Sequence, residues 1–502
     1  MWVDEVDRKW GGKMNRAVEM RRASLFVLLA AAATAMGAVT VNCNAWSEES
    51  HVPDIQDSYR KVDVSPDPKF GRRGVPHQEE IPIDLPTVLR LAGSDALDVQ
   101  FAVQRLQEAR AQRLGADMQF LPTITPRFDN RWVFGTVQST TGEFQHVHHK
   151  QSALEGVEAA LDERLGENVF AALAARKRVE ASEAGLRATA DAAKIQAVVA
   201  YFNLVLARAD QAIVEERLKQ ADETIRLTQE LQKGGAALLS EVKRSQAAKA
   251  QVQQRLAGAR EAVRFASLTL TDALHIDPLV TLVPQQQPQD IVSLVSPEKD
   301  ISELVSDAID RRPELAESRS FWAALDREKR ASILAPLIPT IRADALHGSF
   351  GSHPDDGERV HDYYVGLQWR IGVGGIGDVS RTRLADARLK EEGIRFARIA
   401  DTVVREVVSN STHADTANQQ IQLSKDEVAA ADEALRLSQE RLKQGSALTL
   451  EVLAAEDALF DAKSRAAQNI SEFNKAQYGL LRSIGGFRDD DAAAFHMAAP
   501  NR

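Results

Sequence analysis

Cysteine is almost absent from this chain of 502 residues; Cys43 is the single thiol, so no disulfide can form within one chain. Aromatic residues make up only 6%, although the hydrophobic set reaches 44%. Alanine dominates that apolar share, which suits closely packed helices better than a bulky globular interior. No long Lys/Arg stripe is present and the net charge is −10, which argues against a nucleic-acid partner. Beyond residue 45 no run is expected to be apolar for the ~18 residues of a membrane helix. An exported chain with no membrane helix is therefore expected.

The export signal comes first. Arg21-Arg22 precede an apolar run from Ala23 to Val41, and Cys43-Asn44-Ala45 supply small residues for cleavage, so residues 1–45 read as a signal peptide. An uncleaved anchor is the alternative. The acidic first 13 residues fit no signal, and Met14 or Met20 is the better start. Cys43 is a candidate for lipidation, but Thr40-Val41-Asn42 match the required small-residue motif poorly. Residues 46–80, with Pro53, Pro66, Pro68 and Pro76, read as an extended leader.

The rest of the chain is written twice. Leu121-Pro122-Thr123-Ile124 returns as Ile338-Pro339-Thr340-Ile341, and Gly235 to Val242 returns as Gly445 to Val452. A repeat of this length is a duplicated domain-sized unit rather than a solenoid module. The copies span 81–276 and 301–487, with a Pro/Gln-rich linker at 277–300 and a tail at 488–502 expected to be disordered.

Each copy carries the same succession of patterns. Leu85 to Met118 has apolar residues spaced for one helix. From Ile124 to Phe134, apolar Ile124, Pro126, Phe128, Trp132 and Phe134 alternate with Arg127, Asp129 and Arg131, the period of a strand. A polar loop is expected over 136–151, then a return strand through Val157, Ala159 and Leu161. Glu167 to Lys233 holds no proline and one glycine, which predicts one helix of about 65 residues, or about 100 Å. It ends at Gly234-Gly235, and a descending helix runs from Ser240 to His275. The second copy predicts a helix near 301–335, a strand from Ile341, a loop over 348–362 and a return strand with Tyr363, Val365, Leu367 and Trp369. A helix from Val379 to Gln444 and a descending helix to Ile484 complete it.

Two alternating strands of about ten residues per copy have the length and dyad pattern of transmembrane β-strands. Four strands cannot close a barrel, and an open edge cannot face lipid. Two chains would supply eight strands, which leave little lumen; three supply twelve, enough for a pore. The expected fold is therefore mainly α with membrane β: a trimeric 12-stranded β-barrel on a 12-helix α-barrel.

Several features together resemble the TolC-type outer membrane factors over residues 81–487. They are the helix leading into Phe120-Leu121-Pro122-Thr123-Ile124, the strand ending near Trp369 before glycines, and the long helix broken at Gly445 with Leu448 and then Glu451-Val452-Leu453. The resemblance implies a passive homotrimeric duct in the Gram-negative outer membrane, reaching into the periplasm. It implies a periplasmic adaptor and an inner-membrane pump of the resistance-nodulation-division, ABC or major-facilitator type as partners, with outer-membrane lipid around the barrel. Cargo would be drugs, metals or other small solutes. The exit channel of a type I protein-secretion system is the alternative, and a periplasmic coiled-coil scaffold the alternative of another class. Neither enzymatic activity nor a cofactor is implied.

The same resemblance assigns adaptor contact to the turns Gly235, Ala237, Leu238 and Ser240 and Gly445, Ala447, Leu448 and Thr449, where plain turn chemistry is the competing account. It places Glu241 and Glu451 at a periplasmic iris, where three chains would present six carboxylates and favour cations. Each carboxylate is equally suited to complementing its own helix N-terminus. Ala454 stands where some members carry a second acid, so a less acidic iris is expected. Lys243 and Arg244 in one copy correspond to Leu453 and Ala454 in the other, so the tip would alternate around a ring.

Two further patterns come from the residues alone. His146, His148 and His149, with His347, His353 and His361, fall in or beside the two expected loops. His-x-His-His suits a divalent metal, but polar loop composition accounts for it equally, and no metal is assigned. Gly372-x-Gly374-x-x-Gly377 mimics a dinucleotide fingerprint. The alternating strand before it and the long helix after it exclude a nucleotide fold.

Overall fold

A computed structural model describes residues 80–94, 96–139, 141–296, 299–352, 356–369 and 376–487. The signal peptide and Cys43, the leader up to residue 79, His353, Gly372, Gly374 and the tail lie outside the described residues.

The elements run in the order β1 (Glu80–Ile83), α1 (Leu85–Ser94), α2 (Leu97–Met118), β2 (Thr123–Gln138), β3 (Phe144–Glu163), α3 (Leu165–Lys233), α4 (Leu239–Leu274), β4 (Thr281–Pro284), α5 (Ile301–Arg311), α6 (Pro313–Leu334), β5 (Thr340–Gly351), β6 (Glu358–Gln368), α7 (Ile376–Lys443) and α8 (Thr449–Ser483). The long helices α3 and α7 hold 69 and 68 residues, close to their expected bounds.

Helix α3 is the shared support. Its first half packs on α2 through Leu106, Ala109 and Val179, and on α6 where Arg178 pairs with Glu328. Its second half packs on α4 through Val214, Val252 and Leu256, and on α8 where Lys463 pairs with Glu216 at 2.8 Å. Buried alanines 172, 174, 175, 181, 184, 197 and 200 let neighbouring backbones come close. The expectation of no membrane-length apolar stretch is corrected here: α3 is long and apolar enough to cross a membrane, with an 18-residue window of mean hydropathy 1.4. Within α3, however, Ala197, Val198, Tyr201, Phe202 and Leu204 are buried in the main core. That core also takes Val88 and Ala92 of α1, Leu270 and Leu274 of α4, Leu282 of β4, and Tyr478 and Phe487. Aromatic rings help fill it: Tyr201 meets Phe202 edge-on, and Phe202 meets Tyr478 with ring centroids 5.8 Å apart.

Four strands form one antiparallel sheet in the order β2-β3-β5-β6. Directly opposed residues share a face, so the register sorts the side chains. One face carries Ile124, Phe128, Val157, Tyr363, Val365 and Leu367, all exposed. The other carries Arg127, paired to Asp129 and to Glu158, and Arg342, which donates to Asp344 at 2.9 Å.

Other expectations change. The helix over 85–118 divides after Ser94, whose hydroxyl donates to the Arg90 carbonyl as α1 ends. The helix near 301–335 divides at Arg312, which is extended (φ −61°, ψ 124°) because the following Pro313 ring disfavours helical backbone before it. The expected loop over 136–151 is mostly strand: β2 and β3 continue to a short turn that Gly142 closes with φ +90°. Likewise 348–362 is mostly β5 and β6. A strand with polar residues on both faces has no apolar alternation to announce it. The start of the first repeat and the linker also meet, since β1 pairs in parallel with β4, Glu80 opposite Thr281 and Ile83 opposite Pro284.

Near the core, Asp191 lies 3.9 Å from Lys194, with Glu314, Arg312 and Arg482 around it. Burial raises its carboxyl to about 6, against the pull of Lys194. A carboxyl raised in the folded state contributes stability that is complete below its unfolded value and is lost as pH rises through about 6. Asp191→Asn should therefore raise the thermal midpoint near pH 8, by about 1 kcal/mol of stability, and change it little near pH 3, below the carboxyl's unfolded value. A stability gain equal at both pH values would contradict this.

Candidate functional site

The two helix hairpins end in turns of the same construction. Gly235 (φ +78°) and Gly445 (φ +69°) occupy left-handed backbone that a side chain would strain. In the first, Gly235 N donates to Gln232 O and Ala236 N to Leu231 O; in the second, Gly445 N donates to Leu442 O and Ser446 N to Arg441 O. These bonds close the free carbonyls of α3 and α7. Leu238 and Leu448 then turn extended before α4 and α8 begin. Leu238, Leu239, Leu448 and Leu450 are all more than half exposed, an apolar cluster at the exposed end of a helix pair. Ala237 and Ala447 are half-buried, Ser240 is exposed, and Thr449 is fully buried.

Glu241 and Glu451 lie in matching first turns but differ in surroundings. Glu451 pairs with Arg441 across its own turn at 3.3 Å. Glu241 reaches the other hairpin, accepting from Thr449 Oγ1 at 3.4 Å. Within one chain the two carboxylates are therefore not equivalent. The metal candidates also move: His146, His148 and His149 lie on β3, not in a loop, with Phe134 5.5 Å from His149. Among the described residues no three His, Cys, Asp or Glu side chains form a metal-holding group.

The seam between hairpins holds residues absent from the sequence reading. Glu456 of α8 is wholly buried and Arg217 of α3 is 3% exposed; they pair at 2.6 Å. Thr224 Oγ1 donates to Glu456 Oε1, and Arg217 also reaches Asp457. The 2.6 Å contact is an ion pair without hydrogen-bond alignment, since Glu456 Oε2 and Arg217 Nη1 make no hydrogen bond. Burial raises the Glu456 carboxyl above the usual range, with Thr224 and Arg217 opposing. Single charged residues on an Ala-rich helix carry no mark that they will be buried. A legible signal did exist nearby. Glu223-Arg226-Glu230 and Glu433-Arg436-Glu440 repeat the same spacing, and in both the arginine is forked between its i−3 and i+4 carboxylates.

By contrast, the seam within each hairpin is apolar: Val214, Val252 and Leu256 in one, Leu435, Leu442, Val452 and Leu459 in the other. Arg217→Ala should cost about 3–5 kcal/mol by leaving Glu456 buried without its countercharge. Arg217→Met combined with Glu456→Leu should cost much less. Thermal unfolding of the three proteins checks this, and additive losses would show that the pair does not act as a unit.

Residues 304–486 match the family described as outer membrane efflux protein. The pyoverdine export outer membrane protein OpmQ of Pseudomonas aeruginosa is 24% identical over 422 residues, covering 80% of this chain and 85% of its own. Among solved structures, the outer-membrane channel OprN superposes with a TM-score of 0.70 at 20% identity, over 80% of this chain and 90% of that one. VceC, an outer membrane protein of Vibrio cholerae, gives 0.70 at 18% identity, over 80% and 96%. Residues 304–486 thus match the outer membrane efflux protein family, and most of the chain shares the fold of OprN and VceC.

Proposed function

We propose that three copies of this chain form the passive exit duct of a tripartite efflux pump, spanning the outer membrane and reaching into the periplasm. The observation that carries this reading is the four-stranded sheet. It exposes one apolar face and one charged face, and its outer strands β2 and β6 each have one unpaired edge among the described residues. In lipid such edges must be paired. Pairing β6 of one chain with β2 of the next closes twelve strands with the apolar face outward and Arg127, Asp129, Glu158 and Arg342 inward.

The two repeats, 81–276 and 301–487, then contribute equal shares of barrel and rods. The Leu-rich turns at Gly235 and Gly445 form the adaptor-docking tip, and Glu241 and Glu451 line its opening. OpmQ is named for export of pyoverdine, which supports a small-solute cargo over a secreted protein. A periplasmic coiled-coil scaffold would account for the helices but leaves the apolar sheet face unexplained.

Two measurements test this. Fractionation should find a heat-labile trimer in the outer membrane; a soluble periplasmic monomer would overturn the reading. In planar bilayers Glu241→Gln with Glu451→Gln should lower cation selectivity, whereas unchanged selectivity would leave these carboxylates only their helix-terminal role.

A further inference from the structure

The proline-free run from Glu167 to Lys233 contains a single glycine, Gly185. Glycine in mid-helix weakens the helix relative to alanine, so its presence there asks for a reason. The three nearest atoms that a Cβ at this position would meet all belong to the carboxyl group of Glu317 on α6, with Oε1 at 2.9 Å, Cδ at 3.1 Å and Oε2 at 3.3 Å. The missing side chain makes room for a carboxylate, not for another helix backbone. Among the described residues that carboxylate has no hydrogen-bond donor and no cation within ion-pair distance. The atoms packed around it raise its pKa, Glu314 adds to the shift and Arg105 opposes it.

Glu317 lies in a groove of about 780 Å³ between α2, α3 and α6, with Ala181, Ala188 and Ala192 of α3 in its lining. Two pairs at i, i+4 spacing flank it, Phe101 with Arg105 on α2 and Glu317 with Phe321 on α6. Phe101 is 60% exposed, and the Arg105 guanidinium stands over its ring, 4.8 Å from the centroid. The other arginines of the groove are engaged, Arg178 with Glu328 and Arg482 with Glu314. Among the described lining residues Arg105 is the cation left to face Glu317, while Asp98 and Glu108 add negative charge.

We propose that this groove binds an aromatic organic cation, with Glu317 as the counterion and the Phe101 and Phe321 rings as walls. Its volume falls among those of small-molecule sites, roughly 300–1,000 Å³, which are built from apolar walls and a few placed polar groups. A cation within about 6 Å of a ring centroid is attracted by the negative face of the ring, more strongly once water is excluded. Arg105 already makes that contact on Phe101 while partly offsetting Glu317. It is a resident plug on a long, exposed side chain, and a ligand cation takes its place as the guanidinium swings out to water. An anion is disfavoured, because Asp98, Glu108 and Glu317 outnumber Arg105 once the paired groups are set aside.

The site does not depend on the efflux reading, because its test measures binding and not transport. Ethidium, a planar aromatic cation, is titrated into the detergent-purified full chain and followed by fluorescence anisotropy, with anionic fluorescein as the control for charge. One ethidium site per chain is expected. Affinity should fall about tenfold or more in Glu317→Gln and about threefold or more in Phe101→Ala. Gly185→Ala should also lower it, since the new Cβ displaces the carboxylate, although alanine favours the helix. Arg105→Ala should raise affinity about threefold or more by removing the resident cation, a direction that a merely structural role would not produce. Phe101, Arg105 and Glu317 are all exposed, and circular dichroism confirms that each variant is folded. Unchanged affinity in Glu317→Gln, weaker binding in Arg105→Ala, or fluorescein bound as tightly as ethidium overturns the proposal.

Discussion

Close approach along α3 is the constraint on which the helical part depends. Its buried alanines let five other helices lie against it, at distances that larger residues would forbid. Each hairpin is then held internally by Val and Leu seams, while the seam from α3 to α8 adds a buried ion pair and hydroxyl to apolar contacts such as Phe202 on Tyr478. Apolar seams are indifferent to small changes of alignment; a buried Arg–Glu pair is not. The hairpins are therefore tightly made units joined by a contact that demands one register.

The sheet imposes a second constraint. Its charged face neutralises Arg127 and Arg342 with neighbouring carboxylates, so that face is suited to water. Among the described residues nothing covers its apolar face and no strand pairs its outer edges. Both deficits are of the kind that lipid and further copies of the chain remove together.

Much of this was legible from residue order. Long proline-free runs gave α3 and α7 nearly to their ends, and glycines at 235 and 445 marked turns that do require positive φ. Alternation found the apolar-faced part of each strand but lost it where both faces became polar. The histidines were consequently assigned to loops although His146, His148 and His149 stand on β3, His347 on β5 and His361 on β6. The small β1–β4 sheet was missed because four-residue strands at the ends of Pro-rich segments carry no period.

Residue order by itself determined the local conformations and the two-faced character of strand and helix, because periodicity and turn chemistry act over a few residues. Only the tertiary structure decided which charges are buried and which side chains meet. Glu241 and Glu451 occupy equivalent positions in sequence, yet one reaches the neighbouring hairpin and the other closes on Arg441. Arg217 and Glu456 are 239 positions apart, and Arg178 and Glu328 lie in different copies of the repeat. Such pairs follow from how rods and strands are set side by side, and that is fixed by packing summed over the whole length of α3, not by any short stretch of residues.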